Sequence, residues 1–182
     1  MSTKYTSDKD MLGHQYIKAT RDYCDYIEEH LNNVYRAFHE VAKACDGMDW
    51  VGDDYTYHTL RSEVMAHDLS KFSKEEFVPY RSNFFGTQEL EEDNSFTLAW
   101  EHHKENNPHH WESIRYPETK EGTCGYGRTE MDLVHMIVDW TSMSYKFGGD
   151  AQSYYETNKD NIIIREEWLP FAYEVFNNIR KD

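Results

Sequence analysis

Five of the ten histidines of this 182-residue chain fall between positions 67 and 110. They form one His-Asp pair, His67-Asp68, and two His-His pairs, His102-His103 and His109-His110. Neutral imidazoles and carboxylates are the nitrogen and oxygen donors of divalent metals when several elements bring them to one point. A lone His-Asp dipeptide is ordinarily a pair on a wet helix face. Here the segment AWEHHKENNPHHWE sets the two His-His pairs seven apart, flanked by Trp100 and Trp111. Large aromatics beside them point to burial. A buried imidazole cluster is unfavourable without partners, and a metal ion removes that penalty.

Such donors must be carried by helices. From about His14 to Cys45 the apolar positions Ile17, Tyr23, Ile27, Leu31, Val34, Phe38 and Val41 recur mostly every three or four residues. That spacing predicts one long helix with a buried stripe. A second helix is expected over Tyr55 to Ser70, with Leu60, Val64 and Leu69 inward and His67-Asp68 riding on it. Adjacent residues on a helix diverge by about 100°, so both can serve one ion only if the helix passes alongside it. Ser73 and Glu76 have capping-box spacing for a third helix, in which Pro79 falls late. Asn94 or Ser95 opens a fourth, which Pro108 should end, with a brief helix resuming at His109 to Ile114. The glycines of 116–128 predict a loop. Thr129-Glu130 starts a helix carrying Leu133, Ile137, Trp140 and Met143, stopped by Gly148-Gly149. Two further helices are expected over Ala151 to Lys159 and Arg165 to Ile179. Period-two alternation is nearly absent, so the fold class is all-α: one helical bundle over residues 1–182, with 1–12 a flexible or loosely docked N-terminus.

Composition narrows the partners. There are 14 Tyr, 9 Phe and 5 Trp, too many aromatics for a disordered chain. Thirty-four acidic residues against 19 basic give a formal charge of −15. Neither duplex nucleic acid nor an anionic membrane suits that surface. A phosphate-bearing substrate would need a local positive centre, which a metal supplies. No apolar run approaches the about 18 residues of a membrane span, and the polar N-terminus does not look like a signal peptide. Three scattered cysteines (Cys24, Cys45 and Cys124) form neither a disulfide framework nor a thiolate site, so a reducing cytosol is expected.

The order of these residues resembles the HD-domain superfamily of metal-dependent phosphohydrolases, whose members are all-helical. Their first metal is held by an early His, the His-Asp pair and a late Asp, which match His30 in YIEEHLNNV, His67-Asp68 and Asp139 in MIVDW. In two-metal members the paired Asp bridges and intermediate histidines hold the second ion. Over nearly the whole chain the sequence is also similar to a bacterial and phage family catalogued as a domain of unknown function. The shared motifs are YIEEH, HDLSKFSKEEFVPYRSNFF, AWEHHKENNPHHW, MIVDW and YYETNKDNIII. His103, His109 and His110 match its middle histidines, and His102 is an extra. HD phosphohydrolases usually follow the pair with a small residue, Gly and Lys. Here Leu69-Ser70-Lys71 keeps the lysine alone.

The resemblance implies a phosphohydrolase or phosphodiesterase acting on a nucleotide or other small phosphate ester in a bacterial or phage-infected cytosol. Two divalent ions (Mn, Fe, Mg or Zn) would be held by His30, His67, Asp68, His103, His109, His110 and Asp139. Asp68 would bridge them and orient the attacking hydroxide, Lys71 would stabilise charge developing on the phosphate oxygens, and Lys71, Arg81 and Lys104 are the candidates for contact with the anion. The same ligand set serves di-iron oxygenases, and a nucleotide-sequestering module without ordered metals is a third reading. Outside the pattern, His14, His39 and His58 read as surface or hydrogen-bonded core. His135, one helical turn before Asp139, is placed to support a ligand. Glu75-Glu76 read as solvated charge and capping. Trp100, Trp111 and Trp140 read as walls of the core.

Overall fold

The computed structural model describes residues 8–86, 94–113, 130–162, 164 and 166–180. Every regular element among them is helical, the all-α class expected. These are α1 (Asp8–Ala44), α2 (Asp49–Gly52), α3 (Asp54–Met65), a 3-10 turn (Leu69–Phe72), α4 (Phe77–Phe85), α5 (Ser95–Asn106), α6 (Glu130–Phe147), α7 (Ala151–Asn158), a second 3-10 turn (Glu166–Trp168) and α8 (Leu169–Ile179). The expected loop at 116–128 and the first seven residues lie outside the described residues. Among the described residues no helix is long and apolar enough to cross a membrane.

The chain divides into two compact units, Met1–Glu29 with Leu69–His103, and His30–Asp68 with Lys104–Asp182. The first has a small aromatic core. Tyr23 is fully buried, its ring 5.2 Å from Phe77 and 5.7 Å from Phe85, and Tyr80 meets Phe96 at 5.2 Å. The Ser73–Glu76 capping box does not form: α4 opens at Phe77 with no side-chain cap. Pro79 is therefore third in the helix, where its missing N–H would have had no intrahelical partner. Gly86, at φ 71°, ends α4. The buried stripe of α1 begins at Ala19, and Ile17 is exposed.

The second unit is built around α6, in which every residue from Asp132 to Ser142 except Asp139 is buried. A helix apolar nearly all round has to lie inside. Val34, Phe38 and Val41 of α1, Trp50 of α2, Leu60 and Val64 of α3, and Val175 and Phe176 of α8 join it in one core. Gly148 and Gly149, at φ 79° and 81°, stop α6 in a conformation that side chains resist. Asp150 then caps α7 by accepting the Ser153 N–H at 2.9 Å.

Two further local expectations change. The second helix ends at Met65, not Ser70, and Leu69 is exposed. No helix resumes at 109–113. Asn107 C=O accepts from His110 N–H and His110 C=O from Ser113 N–H, giving successive turns after Pro108.

Candidate metal centre

Four side chains of the second unit meet at one point. The Nε2 atoms of His30 and His67 stand 3.0 Å apart. Asp68 Oδ2 is 3.4 Å from each of them. Asp139 Oδ1 is 3.5 Å from His30 Nε2 and 3.6 Å from His67 Nε2. Donors about 2.1 Å from a common ion stand about 3.0 Å apart at right angles and about 3.4 Å apart at the tetrahedral angle. The spacings among His30, His67 and Asp68 fall in that range, and the two to Asp139, at 3.5 and 3.6 Å, lie just above it. The Oδ1 atom of Asp139 is buried and makes no hydrogen bond, an arrangement that a cation resolves.

Each donor has a local cause. His30 lies on the stripe of α1, one turn from Ile27 and Val34. Asp139 is carried inward by α6. His67 and Asp68 are not on a helix. They follow the end of α3, and Asp68 adopts φ 56°, the left-handed region, alone among the described non-glycine residues. That turn folds the Asp68 carboxylate back beside the His67 ring, its Oδ2 3.4 Å from His67 Nε2. Of the four side chains, Asp139 is the most accessible at 14%, against 9% or less for the others, so solvent reaches the centre on its side. Half-exposed Tyr154 stands there, its ring 5.3 Å from Trp140. Burial, and then the charges of Glu112 and Asp139, raise its phenol above the usual tyrosine range.

The other Asp68 oxygen faces a second group. Oδ1 lies 3.4 Å from His109 Nε2, itself a buried atom that makes no hydrogen bond. Asp68, His109 and His110 bring one donor atom each within 4.8 Å of one another. Burial, then the neighbouring His67 and His110, hold the His109 pKa well below the usual histidine value, outweighing the opposite pull of Asp68. Its imidazole is therefore neutral, the form a metal needs. Behind the centre, His67 Nδ1 and His135 Nε2 share a hydrogen bond of 3.0 Å, so His135 supports a donor as its position on α6 suggested.

His103 belongs to the first unit, and there Glu76 is the residue that sequence reasoning missed. Its carboxylate is fully buried and accepts the Nδ1–H of His102 and of His103, each at 2.7 Å. Burial alone would raise its pKa, but those two bonds, the charge of His103 and a hydrogen bond from Ser70 together hold it below the usual glutamate value. The signal available was the pair of adjacent histidines, which need an acceptor once buried. Trp100 stacks on His103 at 5.7 Å. Lys71 is buried in the same unit with its ammonium 5.8 Å from the centre of the Tyr80 ring. Arg81 donates to Thr20 Oγ1 at 2.8 Å and lies over the rings of Tyr16 and Phe77. Lys104 belongs to the second unit and is half-buried. Trp140 is buried and Trp111 packs partly buried against the core, as walls. His14, His39 and His58 are exposed.

The molecule is thus an all-helical protein with a buried cluster of histidines and aspartates that could hold a metal ion. It belongs to a family of unknown function (DUF5662), whose profile matches residues 19–180. No curated protein and no solved structure matches the chain.

Proposed function

We propose that this protein is a metal-dependent phosphohydrolase or phosphodiesterase of HD-domain type, acting on a nucleotide or another small phosphate ester. The observation that carries the reading is the convergence of His30, His67, Asp68 and Asp139, from three separate stretches of chain, at donor spacings of 3.0–3.6 Å. His109 and His110 beside the second oxygen of Asp68 favour a two-ion centre with Asp68 between the ions. Divalent ions in such a site supply Lewis acidity toward phosphoryl oxygens and acidify a water for attack. The protein's own part is to hold imidazoles and two carboxylates together in a largely buried cluster. Two divalent ions against the charges of Asp68 and Asp139 leave the centre net positive, an attractor for an anion on a chain of formal charge −15. Lys104, in the same unit, is one candidate for anion contact from the sequence pattern. Lys71 and Arg81 remain candidates from the sequence pattern, although Arg81 is already engaged by Thr20.

The test is metal analysis of the native protein, followed by a nucleotide and phosphate-ester screen with the metal found. Hydrolysis that depends on Mn, Mg, Zn or Fe and is lost in Asp68→Ala supports the reading. Loss of one such electrostatic element commonly lowers kcat by a factor of about 10²–10³, and loss of a ligand lying between two ions should lower it more. An iron pair with oxygen-dependent optical changes and no hydrolysis would assign the centre to oxygenase chemistry. Nucleotide binding at full affinity without any metal would make it a sequestering module.

A further inference from the structure

The Nδ1 atom of His67 points away from the centre, to the Nε2 atom of His135 at 3.0 Å. We propose that His135 is a positioning residue of the centre: it accepts the His67 Nδ1–H and thereby fixes the tautomer that leaves His67 Nε2 bare for a divalent ion. The inference rests on the metal-centre reading above.

Proton bookkeeping leads to it. A hydrogen bond between two imidazole nitrogens needs one proton and one lone pair. With the proton on His67 Nδ1, Nε2 carries a lone pair toward His30, Asp68 and Asp139. With the proton on His67 Nε2, that nitrogen is capped and ligation is blocked. An ion at Nε2 requires the first arrangement, and His135 Nε2 occupies the position that then accepts the Nδ1–H, with both rings buried, His67 at 2% and His135 at 4% exposure. Metal-bound histidines generally donate their second N–H to a carboxylate, a carbonyl or water. An imidazole in that place orients the ring without the negative charge that a carboxylate would add behind the ion, which keeps the centre attractive to an anion.

The geometry also explains why His135 holds still. It precedes Asp139 by four residues on α6, so acceptor and ligand share one helix face. Its ring lies 4.6 Å from that of His109 with 34° between their planes, and the His109 ring stacks on His67 at 4.2 Å. One rigid, buried helix thus presents a ligand and the support of another ligand together.

The experiment strips the full-length chain with a chelator and titrates Co²⁺ by calorimetry and visible absorption. It compares wild type with His135→Leu, His135→Gln and His30→Ala. Leucine keeps buried volume but accepts no hydrogen bond, and the expected result is 10- to 100-fold weaker Co²⁺ binding, on the order seen when such supports are lost, with a shifted ligand-field spectrum. Glutamine offers an amide oxygen near the old Nε2 position and should recover affinity to within about threefold of wild type. Wild-type affinity and spectrum in His135→Leu, with binding lost in His30→Ala, overturn this inference and leave the metal centre standing. Equal loss in the Leu and Gln variants also overturns it, since packing alone would then explain the effect. Wild-type Co²⁺ binding in His30→Ala overturns the metal centre itself. If the Leu variant does not fold, Gln binding decides alone, and a folded Gln variant more than tenfold weaker than wild type counts against the inference.

Discussion

Glu76 shows how a side chain can carry two local explanations and obey neither. Its sequence neighbours suggest a solvated, helix-opening glutamate, yet it is fully buried between His102 and His103. Its ionised form is favoured in the folded protein, because burial is outweighed by the His103 and His102 bonds together with the His103 charge and a Ser70 bond, which hold its pKa below the usual value. The unfolded chain titrates near 4.5, so this stabilisation is present above that pH and is lost as pH falls through the lower, folded value. Glu76→Gln should lower stability at pH 7 by about 1–3 kcal/mol, the penalty for disturbing buried charged hydrogen bonds. It should also flatten the fall in stability below pH 4.5, as urea midpoints from pH 7 to pH 3 would measure. A variant as acid-sensitive as wild type would contradict the assignment. The ligand candidates were easier to read than Glu76, because His30, His67-Asp68 and Asp139 are recognisable by residue type and order. A carboxylate that supports histidines 26 and 27 positions later has no such local signature.

At the level of elements, periodicity located the helices and mistook some of their ends. Leu69 was expected inward by counting on from Leu60 and Val64, but the helix stops at Met65 and the left-handed turn at Asp68 destroys the phase. Residues 109–113 lack a helix because turns through Asn107 and His110 take up the chain after Pro108. These outcomes depend on the donors converging, which single-helix arithmetic does not contain. Within α6 the apolar pattern was sufficient, and Ile137 is fully buried two residues before Asp139. Ile137→Ala should reduce stability by about 2–5 kcal/mol through the cavity it leaves. At about 2–4 °C per kcal/mol, that is a fall in Tm of about 4–20 °C in scanning calorimetry. Metal stoichiometry should be unchanged, since no donor is removed.

The whole molecule carries a formal charge of −15, and self-repulsion of that size opposes the compact state. Raising ionic strength shortens the screening length from about 30 Å at 0.01 M to about 8 Å at 0.15 M. The Tm of the metal-free chain should therefore rise with KCl over that range, equally in wild type and Asp68→Ala. A divalent ion at 100 times its Kd should add about 2.7 kcal/mol to wild type alone, or about 5–10 °C. Thermal scans in KCl and then in MnCl2 separate the two effects. An equal MnCl2 increment in both proteins would mean diffuse screening and no specific site.

The left-handed backbone at Asp68 makes that position a point where stability and chemistry compete. A side chain held there costs about 1–3 kcal/mol, less for aspartate than for most residues, and glycine would relieve the strain. Asp68→Gly should melt above Asp68→Ala in the metal-free state, by about 2–8 °C, while binding no more metal than the alanine variant. Selection for thermal robustness alone would then drift toward glycine at position 68 and erase the centre without disturbing a helix. Laboratory evolution of this protein toward heat tolerance therefore needs a metal-dependent readout at every round, because its easiest gain in stability lies in the residue it can least spare.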